Sequence, residues 1–221
     1  KLRKETDLRE KGRQRMSHEH IAPEMKIMPK VGSSPDNRMP AIPPERMTEA
    51  QRAVAEDFKA KRGHDVDGPF LPLIRSPEIF KAADHLGRYI RFESPIPSKL
   101  KEMAILITAR RWTQQYEWYT HRQVAMHAGL SPAIADAIAE GRVPDQLAED
   151  EDAVYRFCTE LHAKGTVSDS TYDKVVKLFG EQGVIDLCAI CGHYSTLAMV
   201  LNVVRTPLPD GVEPPLKPFP G

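Results

Sequence analysis

The sequence predicts an all-α protein, and three observations carry that prediction. Apolar residues recur at helical spacing in one segment after another, and nowhere do they alternate with period two over a strand-length run. No Asn-Gly or Asp-Gly turn joins two strand-like segments. Serine or threonine, then proline, then glycine punctuate the chain in the order that helix starts and stops require. The expected organisation is a charged tail and proline-rich arm over 1–44, one helical domain over 45–206, and a proline-rich tail over 207–221.

The first segment, 1–15, is a charged run and is left outside the fold argument. His18 and His20 in SHEH could hold a metal weakly; a solvated tail is the simpler reading, because no further ligand lies near. Prolines 23, 29, 35, 40, 43 and 44 exclude a regular helix and predict an extended arm over the body or a neighbouring subunit. Thr48 is a candidate N-cap, with Glu49 and Gln51 in the first turn of a helix that reaches about Arg62 and stops at Gly63. Residues 64–76 are predicted as a loop whose Phe70, Leu71, Leu73 and Ile74 tuck against a core or line a pocket mouth. Ser76-Pro77-Glu78 opens a helix through Arg91, with Phe80, Ala83, Leu86, Gly87 and Ile90 on its apolar face. Ser98 is a candidate N-cap for a helix over 99–110 that turns Leu100, Met103, Ala104 and Ile107 inward. The next helix begins near Gln114 and ends at Gly129; a short one follows Ser131-Pro132 and stops at Gly141. A helix over 150–164 turns Val154, Phe157, Cys158 and Leu161 inward, and Ser168 or Asp169 caps another over 170–179. The last, over 182–204, is the most apolar and includes Val184, Ile185, Cys188 and Cys191 among its apolar residues.

Composition narrows the function classes. Lys plus Arg and Asp plus Glu both total 31, so the formal net charge is zero, which argues against a dedicated nucleic-acid or polybasic membrane-surface protein. No uninterrupted apolar run is expected to span a membrane. The N-terminus has no apolar signal region, and three cysteines do not make a disulfide framework; the expected setting is reducing and cytoplasmic. There is no glycine-rich phosphate loop, and no cofactor or metal site is expected.

The chemistry concentrates in PSKLKEMAILITARRWTQQYEWYTHRQVAMHAGL, residues 97–130. Glu117 and His121 stand at i and i+4, on one helix face, with Gln114 a turn earlier and Glu102 on the preceding helix. An imidazole with an ordinary pKa near 6.5 suits proton transfer at neutral pH. On this reading His121 moves the proton, Glu117 orients or activates its ring, and Glu102 completes a relay. The simpler alternative is a surface ion pair beside a solvated glutamate. Trp112, Tyr116, Trp118 and Tyr119 could wall a ligand pocket or pack in a core or an interface. Arg110 and Arg111 could grip a carboxylate or meet solvent at the helix end. His127, on another face, reads as structural or exposed. Cys188 and Cys191 form a Cys-x-x-Cys in mid-helix, where cysteines usually act as small hydrophobes.

The runs LKEMAILITARRW, YEWYTHRQVAMHAGLS, GEQGVIDL and GHYSTLAMVLN resemble the carboxymuconolactone decarboxylase family, which shares the AhpD-like fold with alkylhydroperoxidase D; the resemblance covers roughly 70–210. It implies an AhpD-like helical bundle, assembled as a homotrimer or homohexamer, with sites near subunit contacts. In the peroxidase branch a relay glutamate precedes a Cys-x-x-Cys and a histidine follows it. Here the glutamate and histidine positions fall on Glu102 and His121, and the two cysteine positions on Gln114 and Glu117. The resemblance therefore implies the branch without the disulfide chemistry: a lyase or isomerase acting on a small unsaturated acid or lactone, as in aromatic-compound breakdown. His121, Glu117 and Glu102 would be catalytic, and Gln114, Arg110, Trp118, Tyr194 and Asn202 would bind substrate. A thiol peroxidase using Cys188 and Cys191, and a non-catalytic oligomer that binds a small ligand, are the alternatives.

Overall fold

The computed structural model describes residues 29–218, so the 1–15 run, His18, His20 and Pro23 lie outside the described residues. Among the described residues there are eight α-helices and no strand. A 3₁₀ turn, Pro44–Arg46, leads into α1, Glu49–Arg62. Thr48 and Gln51 close a reciprocal capping box at its start, and Gly63 ends it at φ 77°, in the left-handed region where glycine carries no steric cost. The stretch expected to be a loop contains a one-turn helix, α2, Phe70–Leu73. Its Phe70 stacks with Phe58 and Phe80, ring centroids 5.0 Å away in both cases, so aromatic burial holds a segment that local propensity does not.

Helix α3, Pro77–Arg88, does not run on to Arg91 as an α-helix; Tyr89–Glu93 widen into a π-helical turn. Two buried anchors account for it. Asp186 accepts from Tyr89 Oη at 3.0 Å and from Ser94 Oγ at 2.6 Å, and the Lys101 ammonium donates to the Arg91 carbonyl at 2.9 Å. Such turns cost regular hydrogen bonding and are common beside functional sites.

Helix α4, Ser98–Arg111, is the centre of the molecule. Every residue from Leu100 to Arg110 is buried, not one face alone, and it packs against α5 (Gln115–His127), α6 (Pro132–Ala139), α7 (Glu149–Lys164) and α8 (Asp169–Val204). Pro97, not Ser98, is its N-cap. Truncating one of its leucines or isoleucines to alanine is expected to cost about 2–5 kcal/mol. Helix α8 joins the two helices expected at the C-terminus across Gly180, whose φ of 69° and ψ of 179° break the helical path. By length and composition α8 passes for a membrane span, with an 18-residue window of mean hydropathy 1.6. The break at Gly180 and its packing against α4 and α7 are those of a core helix. Ile185 and Cys188, expected among the apolar packing residues, are exposed, Ile185 at 67 %.

The described parts of both arms lie on the body of the same chain. Arg38 N donates to the Val204 carbonyl at 2.9 Å, and Ser33 N to Asp210 Oδ1 at 2.8 Å. A Cβ on Gly32 would stand 2.1 Å from the Leu208 carbonyl oxygen, so arm and tail meet backbone to backbone. The Gln115 amide brackets Leu216, accepting from its N–H at 2.9 Å and donating to its carbonyl at 2.8 Å.

Candidate active site

Helices α4 and α5 bring Glu102 and His121 together. Glu102 Oε2 accepts from His121 Nδ1 at 2.7 Å, and both residues are only 5 % exposed, which excludes a solvated surface pair. This corrects the expected partnership: the carboxylate that orients His121 is Glu102, nineteen residues away in sequence, and not Glu117 one turn earlier on the same helix. A carboxylate holding Nδ1–H leaves Nε2 to exchange protons with a ligand.

Glu117 has another character. Burial pushes its carboxyl well above the usual carboxylate range, and its Oε1 is buried without a hydrogen-bond partner. It is a buried carboxyl in the wall of a cavity, and burial favours its protonated form. Gln114 caps α5, accepting from Glu117 N at 2.8 Å and donating to Asn202 Oδ1 at 3.2 Å. Asn202 in turn donates to the Trp112 carbonyl at 3.0 Å. These two expected binding residues pin the α4–α5 corner to α8.

Two adjoining cavities share Pro69, His121, Tyr194 and Leu197 in their walls. Both open to solvent, and the empty space within them, solvent-side space included, is about 470 Å³ for the larger and about 220 Å³ for the smaller. The His121 and Tyr194 rings meet edge to face, with centroids 5.0 Å apart. Burial pushes the Tyr194 phenol up, so it stays a neutral hydroxyl. Tyr116, Glu117 and Thr120 line the smaller cavity, and the Tyr116 hydroxyl is bonded to the Pro29 carbonyl of the arm. The larger is lined by groups that sequence reasoning did not single out as ligands: Arg62, Arg91 and His193. The Arg62 guanidinium lies over the Phe58 ring at 4.8 Å and donates twice to Asp84 Oδ1, at 2.9 and 2.6 Å. Burial pushes Arg62 down from its usual value, but an arginine stays cationic. Burial, then the nearby charge of His121 and Arg62, pushes His193 down to about 4, so its ring is neutral at pH 7. A Cβ at Gly87 would stand 3.1 Å from His193 Nε2; the bare glycine lets α3 approach that ring closely. His193 was readable in principle, since it falls with Tyr194, Leu197 and Leu201 on the inward stripe of α8. Arg62 and Arg91 carry no such signal.

Two expected binding residues are placed elsewhere. Trp118 is 1 % exposed and belongs to the apolar core. Arg110 turns to the tail, donating to the Lys217 carbonyl at 3.0 Å. Trp112 is partly exposed and bonds Ser195 Oγ at 2.9 Å, and His127 and Arg111 are exposed. Among the described residues no three His, Cys, Asp or Glu side chains gather as a metal site.

This all-helical arrangement is the AhpD-like fold. Three solved structures show it. An AhpD core, an uncharacterised peroxidase-related protein from Ralstonia eutropha JMP134, superposes with a TM-score of 0.64 at 16 % identity, over 80 % of this chain and 95 % of that one. The debrominase Bmp8 in complex with 2,3,4-tribromopyrrole gives 0.60 at 15 % identity, over 82 % and 95 %. A protein from Agrobacterium tumefaciens described as a putative antioxidant defence protein AhpD gives 0.56 at 20 % identity, over 64 % and 96 %. No protein-family sequence model and no curated protein sequence matches the chain.

Proposed function

We propose that the protein is a cofactor-free lyase or isomerase of the carboxymuconolactone decarboxylase type, acting on a small unsaturated acid or lactone. The observation that carries this reading is His121, in the wall shared by two cavities and held from behind by buried Glu102. The reaction is loss of CO₂ or a proton shift through a dienolate. In the first case the C–C bond to the carboxylate breaks, its electron pair passes into the dienolate, and His121 delivers a proton to carbon. Glu102 holds the ring and balances the imidazolium while it exists. Glu117, whose protonated form burial favours, would donate a hydrogen bond to the dienolate oxygen, and Arg62 and Arg91 in the larger cavity's lining would meet the substrate's carboxylate. Arg110 and Trp118 have no part in it.

The same proposal sets the protein to work as a homotrimer or homohexamer in a reducing, cytoplasmic setting. Ile185, Met199 and Val203, exposed along α8, support a subunit contact there, and size-exclusion chromatography with light scattering tests it. The thiol-peroxidase reading through Cys188 and Cys191 is not favoured, since Cys188 is exposed while Cys191 is buried.

The test is turnover of a panel of muconolactone-like acids across pH by wild type and His121→Gln. The proposal expects turnover of at least one acid or lactone by wild type, abolished in a folded variant. Full turnover by the variant, or none of the panel turned over by wild type at any pH, overturns it.

A further inference from the structure

A second buried polar cluster lies on another face of α4 and takes no part in the reading above. Cys191 of α8 and Cys158 of α7 are 33 residues apart in sequence, yet their sulfurs lie 3.6 Å apart. Both are almost fully buried, while Cys188, the sequence neighbour of Cys191, points outward. The His162 imidazole lies near enough to Cys191 to favour its thiolate, and it meets Thr108 Oγ1 through Nε2 at 2.9 Å. Two cysteines acting only as small hydrophobes have no need of an imidazole and a hydroxyl beside them. Here the two sulfurs are also unequal. Contact with Cys158 and the nearby His162 imidazole pull the Cys191 thiol down, against the opposing effect of burial. The Cys158 thiol is pushed up by the same contact and by burial. One sulfur is thus set to act as a nucleophile, and the other keeps its proton. His162 is half-buried, whereas both sulfurs are almost fully buried.

We infer that Cys158 and Cys191 form an oxidisable dithiol, which hydrogen peroxide converts into an intramolecular disulfide joining α7 to α8. Cys191 gives its proton to His162, and its sulfur attacks one peroxide oxygen. The O–O bond breaks, leaving a sulfenic acid on Cys191, and the departing hydroxide takes the proton from His162. Cys158 then attacks the Cys191 sulfur, the S–O bond breaks, and a second water leaves with the Cys158 proton. Two thiols lose two electrons and two protons, and one peroxide becomes two waters. The sulfurs must approach from 3.6 Å to the roughly 2 Å of a bond.

The experiment treats the reduced full chain with hydrogen peroxide under native conditions, denatures it, alkylates the remaining thiols and maps the peptides. The result expected is the joint loss of two of the three thiols, a cross-linked Cys158–Cys191 peptide, and Cys188 still alkylatable. Cys188→Ser is expected to form the same cross-link. Cys158→Ala is expected to form none and to leave a Cys191 sulfenic acid that dimedone traps. Wild-type mapping stands by itself if that variant does not fold. Oxidation at Cys188 alone, or native protein in which Cys158 and Cys191 both remain alkylatable, overturns the inference.

Discussion

Helix α4 carries two buried polar clusters, six residues apart and therefore on different faces, and they differ in what they border. Glu102 holds His121, which meets Tyr194 and lines two cavities. Around Thr108 the partners are His162 and the Cys158–Cys191 pair, whose cysteines pack in the apolar core and line neither of those cavities. Both contain an imidazole bonded to an oxygen at under 3 Å. Only the first histidine lines the two cavities described. On the readings proposed above, the cavity histidine exchanges protons with a bound molecule, and half-buried His162 activates a neighbouring sulfur. A buried polar group is thus evidence of chemistry only together with what it borders.

That contrast can be broken by substitution, and the largest effect is expected at the cavity histidine. His121→Gln lowers turnover of an acid or lactone by about 10²–10⁴-fold while the circular-dichroism spectrum stays helical. His162→Gln leaves turnover within a few-fold, since His162 borders neither cavity. Equal losses in the two variants would erase the distinction.

Next comes the neutral ring in the cavity wall. His193 is held near 4, below the 6.5 of an exposed histidine, so the unfolded chain binds the extra proton first as pH falls. Stability is therefore greatest above pH 6.5 and declines toward pH 4, by about 3 kcal/mol from this group. Urea unfolding at pH 7.5 and pH 4.5 reads the decline, and His193→Gln is expected to remove most of it.

Glu102→Gln keeps the shape and a hydrogen bond but removes the charge that balances an imidazolium. Turnover should fall about 10–100-fold, less than on loss of His121 itself. Glu117 behaves in the opposite sense to His193. Its carboxyl titrates above the unfolded value, so the native state loses stability as pH rises from the ordinary carboxylate range to the pH where Glu117 ionises. Glu117→Gln is expected to flatten that slope, gaining on wild type by at most about 1.4 kcal/mol per pH unit across the window, as paired denaturant titrations would show. Smallest is the cap: Gln114→Ala removes the acceptor for Glu117 N and should cost about 1 kcal/mol.

The helix framework was legible in the sequence because its punctuation is local. Thr48 with Gln51, Gly63, and Ser131-Pro132 with Gly141 each fix a boundary by backbone chemistry within a few residues. The π-helical turn at 89–93 was not legible, since Asp186, almost a hundred residues on, holds it. The site divides in the same way. The shared face of Glu117 and His121 follows from i,i+4 spacing, but the choice of Glu102 as the ring's partner depends on how α4 and α5 cross. Arg62, Arg91 and His193 come from three separate elements, and only packing brings them to one cavity. Arg110 and Trp118 show the converse error. Nearness in sequence to the acid–base set suggested ligand contacts, whereas the tail claims one and the core the other.

The central claim is that His121, held by Glu102, passes a solvent-derived proton to carbon. Its most direct measurement is incorporation of deuterium from D₂O into muconolactone-like acids, followed by NMR for wild type, Glu102→Gln and His121→Gln. The account predicts that wild type places solvent deuterium at one carbon, that Glu102→Gln does so more slowly, and that His121→Gln is slower by about 10²–10⁴-fold. Incorporation at the wild-type rate by folded His121→Gln contradicts it.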